Sequence, residues 1–145
     1  MKPFGSILEF TKERNEDLMR AYRHQINLTP HIHMKDVAAA VVNMPAARFW
    51  VSEERAAIVI SALMAGRELP HNMRSPKREM FHEIYRRVLD LRKAKPDTPL
   101  FDLVCEVVNS PAPKFYLRPR AAVFIIYNIK KGYYDQAFAK NPIFR

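Results

Sequence analysis

Residues 102–126, DLVCEVVNSPAPKFYLRPRAAVFII, repeat residues 36–60, DVAAAVVNMPAARFWVSEERAAIVI, without a gap. Nine of the 25 aligned positions are identical, and Gly66 and Gly132 follow the two stretches at the same offset. Upstream, residues 18–28 align with residues 81–91. Similarity at a fixed offset over this length is typical of an internal duplication. The sequence therefore predicts two repeats, residues 7–66 and 67–132, followed by a tail of residues 133–145.

Each repeat is predicted to begin with two helices. Apolar residues of the second repeat recur at the spacing of one helical face, at Met80, Phe81, Ile84, Tyr85, Val88 and Leu91. Ser75 followed by Pro76 indicates the start of this helix, with Ser75 as its N-cap. A shorter helix follows in each repeat, and Asp36 or Asp102 lies near its first turn, where an acidic side chain is favourable.

The last element of each repeat, residues 52–65 and 118–131, could be a buried strand or a helix, because AAIVI and AVFII suit both. Three features favour a helix: a length of about thirteen residues, Ser52 before two acidic residues, and Arg118 before Pro119, which is typical of a first helical position. Both helices are apolar nearly all round, which predicts that they lie at the centre and pack against each other.

Composition limits the class of protein. The 145 residues carry a net charge of +9, unevenly distributed: residues 1–66 hold 8 Lys/Arg against 7 Asp/Glu, and residues 67–145 hold 16 against 8. A basic second half is typical of a surface for polyanions, although a solvated basic face is the alternative. The single cysteine excludes an intrachain disulfide. No apolar run is long enough for a membrane span and no signal peptide is evident, so we expect a cytoplasmic protein without membrane contact.

The stretch DLVCEVVNSPAPKFYL resembles the helix-turn-helix DNA-binding family. Asp102, Val107, Ser110, Pro111 and Ala112 occupy the matching places. The resemblance implies that Ser110 caps a recognition helix whose first turn enters the major groove of DNA. The predicted fold is therefore all-α, with two duplicated helix-turn-helix-like units fused around a shared core into one domain of residues 1–145. RFWVSEERA and SPAPKFYL also resemble a group of small bacterial proteins, which implies no activity.

Candidate nucleic-acid-binding residues are cations, a hydroxyl and an aromatic side chain near the repeated stretch or at the ends of the last helices. Arg48 of the first repeat aligns with Lys114 of the second. This exchange suits a contact with phosphate better than the recognition of a guanine base by two hydrogen bonds, which favours arginine. Tyr116, like Trp50, could stack on a base or lie in the core, whereas Phe49 and Phe115 are expected to be structural. The predicted set is Arg48, Arg55, Ser110, Lys114, Tyr116, Arg118, Arg120, Lys130 and Lys131.

The sequence contains no constellation that predicts catalysis. His24, His31 and His33 lack the partners of a metal site, and Cys105 is expected to be a small packing residue. We therefore expect no enzyme activity, no cofactor and no metal. The leading hypothesis is a nucleic-acid-binding protein that contacts phosphates of duplex DNA, rather than RNA, through its second repeat. The alternatives are a protein-interaction or structural module, with a protein partner or as a homodimer, and an RNA- or ribosome-associated protein.

Overall fold

A computed structural model describes residues 4–29 and 33–134 of the chain. Within this part the chain forms six α-helices and no strand, which confirms the all-α prediction. No helix there combines the length and the apolar character that a bilayer crossing requires. The helices are α1 (Phe4–Leu28), α2 (Met34–Val42), α3 (Glu53–Met64), α4 (Ser75–Ala94), α5 (Leu100–Val108) and α6 (Pro119–Lys130).

The starts of α3 and α6 lie where the sequence predicts them. The Ser52 hydroxyl accepts a hydrogen bond from the Arg55 backbone N–H at 3.1 Å, so Ser52 caps α3. Arg118 is the N-cap of α6, and Pro119 is its first residue. AAIVI and AVFII are therefore helical. The predicted cap of α4 is wrong by one position, because Arg74 has the extended backbone of an N-cap and Ser75 already belongs to the helix.

Two identities of the repeat terminate helices. Asn43 and Asn109 follow α2 and α5, and their side-chain amides donate to the carbonyls of Ala39 at 3.0 Å and Cys105 at 2.8 Å. Glycine follows α3 and α6, with φ of 83° at residue 66 and 78° at residue 132. This left-handed conformation is costly for other residues and common after a helix end. Both repeats therefore end their helices by the same local chemistry, while the duplication itself remains a prediction.

The chain divides into two compact units. Unit 1 contains α1, α2 and α6, and unit 2, residues 45–117, contains α3, α4 and α5. In unit 1, α6 packs against α2 and α1; in unit 2, α3 packs against α5 and α4. Each unit thus takes two helices from one predicted repeat and the last helix from the other. Of the predicted tail, residues 135–145 lie outside the described part of the chain.

The last helices are not buried on all sides, contrary to the prediction that they lie at the centre of the fold. One face of each is buried, through Ala56, Val59 and Ile60 in α3 and through Ala122, Ile125 and Ile126 in α6. The opposite face is solvent-exposed, with 64% of Ile58 and 66% of Phe124 accessible. Within its unit each of these helices packs on its buried side against two neighbours, α3 against α5 and α4, and α6 against α2 and α1. Exposed apolar side chains therefore remain on both helices.

The two copies of the repeated loop pair with each other inside unit 2. The Ala46 N–H donates to the Ala112 carbonyl and the Ala112 N–H to the Ala46 carbonyl, both at 3.0 Å. The Phe49 N–H donates to the Val108 carbonyl at the same distance. Both alanines are buried, so these bonds satisfy polar groups that water does not reach. The two similar stretches therefore stabilise unit 2 by pairing through their backbones.

Candidate nucleic-acid interface

No recognition helix begins at Ser110, so this part of the helix-turn-helix prediction is wrong. Residues 109–118 are non-helical. Pro111 and Pro113 lack an N–H, and each disfavours helical backbone at the residue before it. The intervening Ala112 uses its N–H in the pairing with Ala46. The Ser110 hydroxyl donates to the Val107 carbonyl at 2.5 Å instead of capping a helix.

Arg48 and Lys114, the predicted phosphate clamps, are engaged within unit 2. The Arg48 guanidinium donates to the carbonyls of Phe49 at 3.1 Å and Val51 at 2.9 Å, and lies 5.3 Å from the Trp50 ring centroid. The Lys114 ammonium is 2.6 Å from a Glu79 carboxylate oxygen. These contacts brace the loops, and a phosphate would have to compete with them.

Three of the four aromatic side chains of the loops pack in the interior, and Trp50 is half-buried. Phe49 and Phe115 are 0% and 3% exposed, which confirms their structural role. Tyr116 is 8% exposed and stacks on Phe49, with ring centroids 5.9 Å apart at 17°. Its φ of 57° is uncommon for a residue other than glycine. Burial also raises the pKa of the Tyr116 hydroxyl. Tyr116 therefore does not offer a free ring face for base stacking.

Arg87 connects α4 to this aromatic packing, a role that the sequence does not predict. Its guanidinium lies 5.0 Å from the Phe49 ring centroid and donates to the Pro111 carbonyl at 2.9 Å. Glu83, one helical turn earlier, accepts from Arg87 at 2.7 Å. Hydrogen bonds from Arg86 and Arg87 lower the pKa of the Glu83 carboxyl against the opposing effect of burial. The i, i+4 spacing of Glu83 and Arg87 is the only sequence signal of this cluster.

An open cleft of about 560 Å³ lies beside these residues in unit 2. Two of its three cations pair with carboxylates: Arg86 with Glu83 at 2.6 Å and Lys114 with Glu79. Arg78 donates to the carbonyls of Met73 and Pro70. The two carboxylates offset most of the positive charge of the cleft, which weakens its attraction for a polyanion. Its lining is Ser75, Arg78, Glu79, His82, Glu83, Arg86, Lys114 and Tyr116.

The remaining candidate cations lie on the last helices. Arg118 and Arg120 at the start of α6 are exposed and form no ion pair with any described residue. Lys130 instead holds α6 to α1, because its ammonium donates to the Tyr22 hydroxyl at 2.5 Å. Lys131 lies 4.7 Å from the Tyr127 ring centroid. Arg55 is exposed on α3, in unit 2.

The predicted site residues are thus divided between the units. Arg118, Arg120, Lys130 and Lys131 belong to unit 1, and the other five belong to unit 2. The net charges of the two units differ from those of the two halves of the sequence. The two stretches that contribute to unit 1, residues 1–44 and 118–145, carry 12 Lys/Arg against 6 Asp/Glu, whereas residues 45–117 carry 12 against 9. Unit 1, with α6, is the more basic unit.

Two exposed aromatic side chains on α6 were not among the predicted site residues. Phe124 is 66% and Tyr127 55% exposed. Both belong to an apolar run whose residues are expected to be buried, so the sequence does not indicate their exposure. The signal that could have found them is the helical period: they lie opposite the buried face formed by Ala122, Ile125 and Ile126.

Comparison with known proteins gave no match to any family model. Neither the curated proteins nor the solved structures contain a significant match to the chain. Among the described residues, no group of three or more His, Cys, Asp or Glu side chains could hold a metal ion. His31, one of the histidines considered above, lies outside the described residues.

Cys105 is expected to react slowly with thiol reagents in the folded protein. Burial, reinforced by a hydrogen bond with Glu53, raises the pKa of the Cys105 thiol to about 12. Only the thiolate is nucleophilic, so its reaction with a disulfide reagent at mildly alkaline pH should be at least about a hundredfold slower than that of a free cysteine. Absorbance of the released thiol measures the rate, with the urea-unfolded chain as control. If the folded and the urea-unfolded chain reacted at the same rate, the raised pKa of the Cys105 thiol would be contradicted.

Proposed function

We propose that the protein is a non-enzymatic nucleic-acid-binding protein whose phosphate contacts lie on α6. The observation that carries this proposal is the pair Arg118 and Arg120, exposed and without an ion-pair partner in the described part of the chain. A free guanidinium on a rigid element can bind phosphate without first breaking an internal contact. The excess positive charge of unit 1 supports the same surface.

The loop residues contribute less to this proposal than the sequence predicts. Arg48, Lys114 and Tyr116 already have partners within unit 2. The proposed interface therefore keeps the cations of the second repeat and transfers the emphasis from the repeated loop to the helix after it. Duplex DNA, single strands and structured RNA all present the phosphates that these cations would bind.

The double substitution Arg118→Glu and Arg120→Glu is expected to weaken nucleic-acid binding strongly at low salt. Counterion release makes the logarithm of affinity fall linearly with the logarithm of salt concentration, by roughly one unit of slope per phosphate contact. The variant should therefore lose about two units of slope relative to the unaltered protein. Fluorescence anisotropy of labelled nucleic acids across a salt series measures both quantities.

The matched control is Arg92→Glu with Lys93→Glu, which changes the net charge equally on exposed residues of α4. It should retain most of the binding if the contacts lie on α6. An equal loss in both double variants would show that net charge alone governs binding. Absence of binding by the unaltered protein at low salt, for every nucleic acid, would contradict the proposed function.

A protein-interaction module is the second candidate function, favoured by an apolar groove on unit 2. Ile58 is 64% and Phe101 47% exposed, and small residues of α3 separate them. The groove measures about 530 Å³, a volume within the range of ligand pockets. This candidate replaces the first if no nucleic acid binds in the titration above. The groove is lined by Ala57, Ile58, Ser61, Ala62, Ala65, Arg67, Leu100 and Phe101.

A further inference from the structure

One exposed face of α6 carries two aromatic side chains flanked by two cationic ones. Arg120, Phe124, Tyr127 and Lys131, here called the α6 stripe, follow one another at i, i+4, i+7 and i+11, which places them along a single side of the helix. All four are exposed. Large aromatic rings are costly to leave in water, and here they lie between two cations rather than in a core. The stripe therefore has the composition of a binding surface.

The aligned face of α3 lacks this composition. Glu54, Ile58, Ser61 and Ala65 stand where α6 has the stripe, although both helices share alanine and isoleucine on their buried faces. Packing therefore explains what the two helices have in common and does not require the residues of the stripe. The rings and cations of the stripe are extra features of α6 alone.

We infer that the α6 stripe binds single-stranded nucleic acid, with bases stacked on Phe124 and Tyr127 and phosphates contacting Arg120 and Lys131. This inference rests on the proposed function and adds the kind of strand. Aromatic side chains stack on unpaired bases of any sequence, and neighbouring cations follow the strand backbone. The Lys131 ammonium lies over one face of the Tyr127 ring, 4.7 Å from its centroid, so a base would stack on the opposite face of that ring.

Duplex nucleic acid is expected to bind the α6 stripe less tightly than a single strand does. Its bases are stacked on one another, so the rings of Phe124 and Tyr127 would meet sugars and groove edges instead of base faces. The stripe also lacks the asparagine, glutamine or paired arginine side chains that read base edges in a major groove. At about 1.5 Å of rise per residue the stripe extends roughly 16 Å, long enough to contact several nucleotides of one strand.

The test compares short labelled oligo(U) and oligo(dT) with a blunt DNA duplex that carries the same number of phosphates, by anisotropy at one fixed salt concentration. The single strands should bind more tightly than the duplex. Phe124→Leu and Tyr127→Leu should each weaken single-strand binding by about tenfold and leave duplex binding unchanged, because leucine keeps apolar area and removes the stacking face. The oligo(U) and oligo(dT) arms distinguish RNA from DNA.

Tyr133→Leu is the matched control, since Tyr133 is 62% exposed and lies outside the stripe. It should bind as the unaltered protein does, and circular dichroism should show equal helical content for all three variants. Equal affinity for single strand and duplex, or no effect of either stripe substitution, overturns the stacking inference. If Arg118→Glu with Arg120→Glu still abolishes binding in that case, the proposed function survives. Absence of binding to every nucleic acid overturns both.

Discussion

A fragment of residues 45–117 is expected to fold alone, whereas a fragment of residues 67–132, the predicted second repeat, is expected to remain largely unfolded. The first contains all of unit 2, in which α3 packs against α5 and α4 and the two loops pair. The second contains α4 and α5 without α3, and α6 without α1 and α2. It therefore removes α3 from the faces of α4 and α5 that it covers, and it leaves the buried face of α6 without α2 and α1.

The measurement is far-UV circular dichroism with urea unfolding of each fragment. At 73 residues, the first fragment has a length at which a domain can fold without disulfides or metals. We expect a cooperative transition for it and a shallow, non-cooperative response for the other. The Phe49→Ala form of the first fragment is its control and should lose the transition. A cooperative fold of residues 67–132 alone would show that assembly follows the repeats.

The individual helices could be predicted because their ends are encoded locally. Ser52, Pro119 and the paired asparagines act on backbone groups within four residues, so the sequence shows both partners of each interaction. The ambiguity between strand and helix at AAIVI disappears for the same reason, since an N-cap on one side and a glycine on the other enclose the twelve residues of α3.

The pairing of helices could not be predicted from the same pattern. The buried faces of α3 and α6 are alike, with alanine and isoleucine at aligned positions, so each could cover the first helices of either repeat equally well. The loops that connect them pair through backbone atoms at Ala46 and Ala112, and such contacts depend on no particular side chain. The exchange of the last helices therefore has no signature in hydrophobic periodicity.

Only the exposed cations of the candidate site could be predicted from the sequence. Arg118 and Arg120 remain exposed cations, as their sequence context indicates. Lys114 pairs with Glu79 and Tyr116 stacks on Phe49, and both partners are distant in sequence. Sequence alone reveals which groups could bind phosphate, but whether a group is already engaged depends on tertiary contacts.

Phe49→Ala is expected to lower the free energy of unfolding of unit 2 by about 3–5 kcal/mol, the range for removal of a buried phenylalanine. The ring is fully buried, stacks on Tyr116 and lies under the Arg87 guanidinium. Its loss leaves a cavity, and the Tyr116 ring and the Arg87 guanidinium each lose a contact. It also removes support from Tyr116, whose positive φ must be stabilised by its surroundings.

Urea unfolding followed by fluorescence of Trp50 measures this loss within unit 2, because Trp50 is the only tryptophan of the chain and lies next to the substituted residue. Phe101→Ala provides the matched control within unit 2: the chemical change is the same on a side chain that is 47% exposed, and the expected effect is at most about 1 kcal/mol. An equal, small shift for both variants would contradict the role of Phe49. A large loss at Phe49 with a small one at Phe101 would show that the buried ring of the loop stabilises unit 2, because the same truncation on a half-exposed side chain of that unit leaves its packing intact.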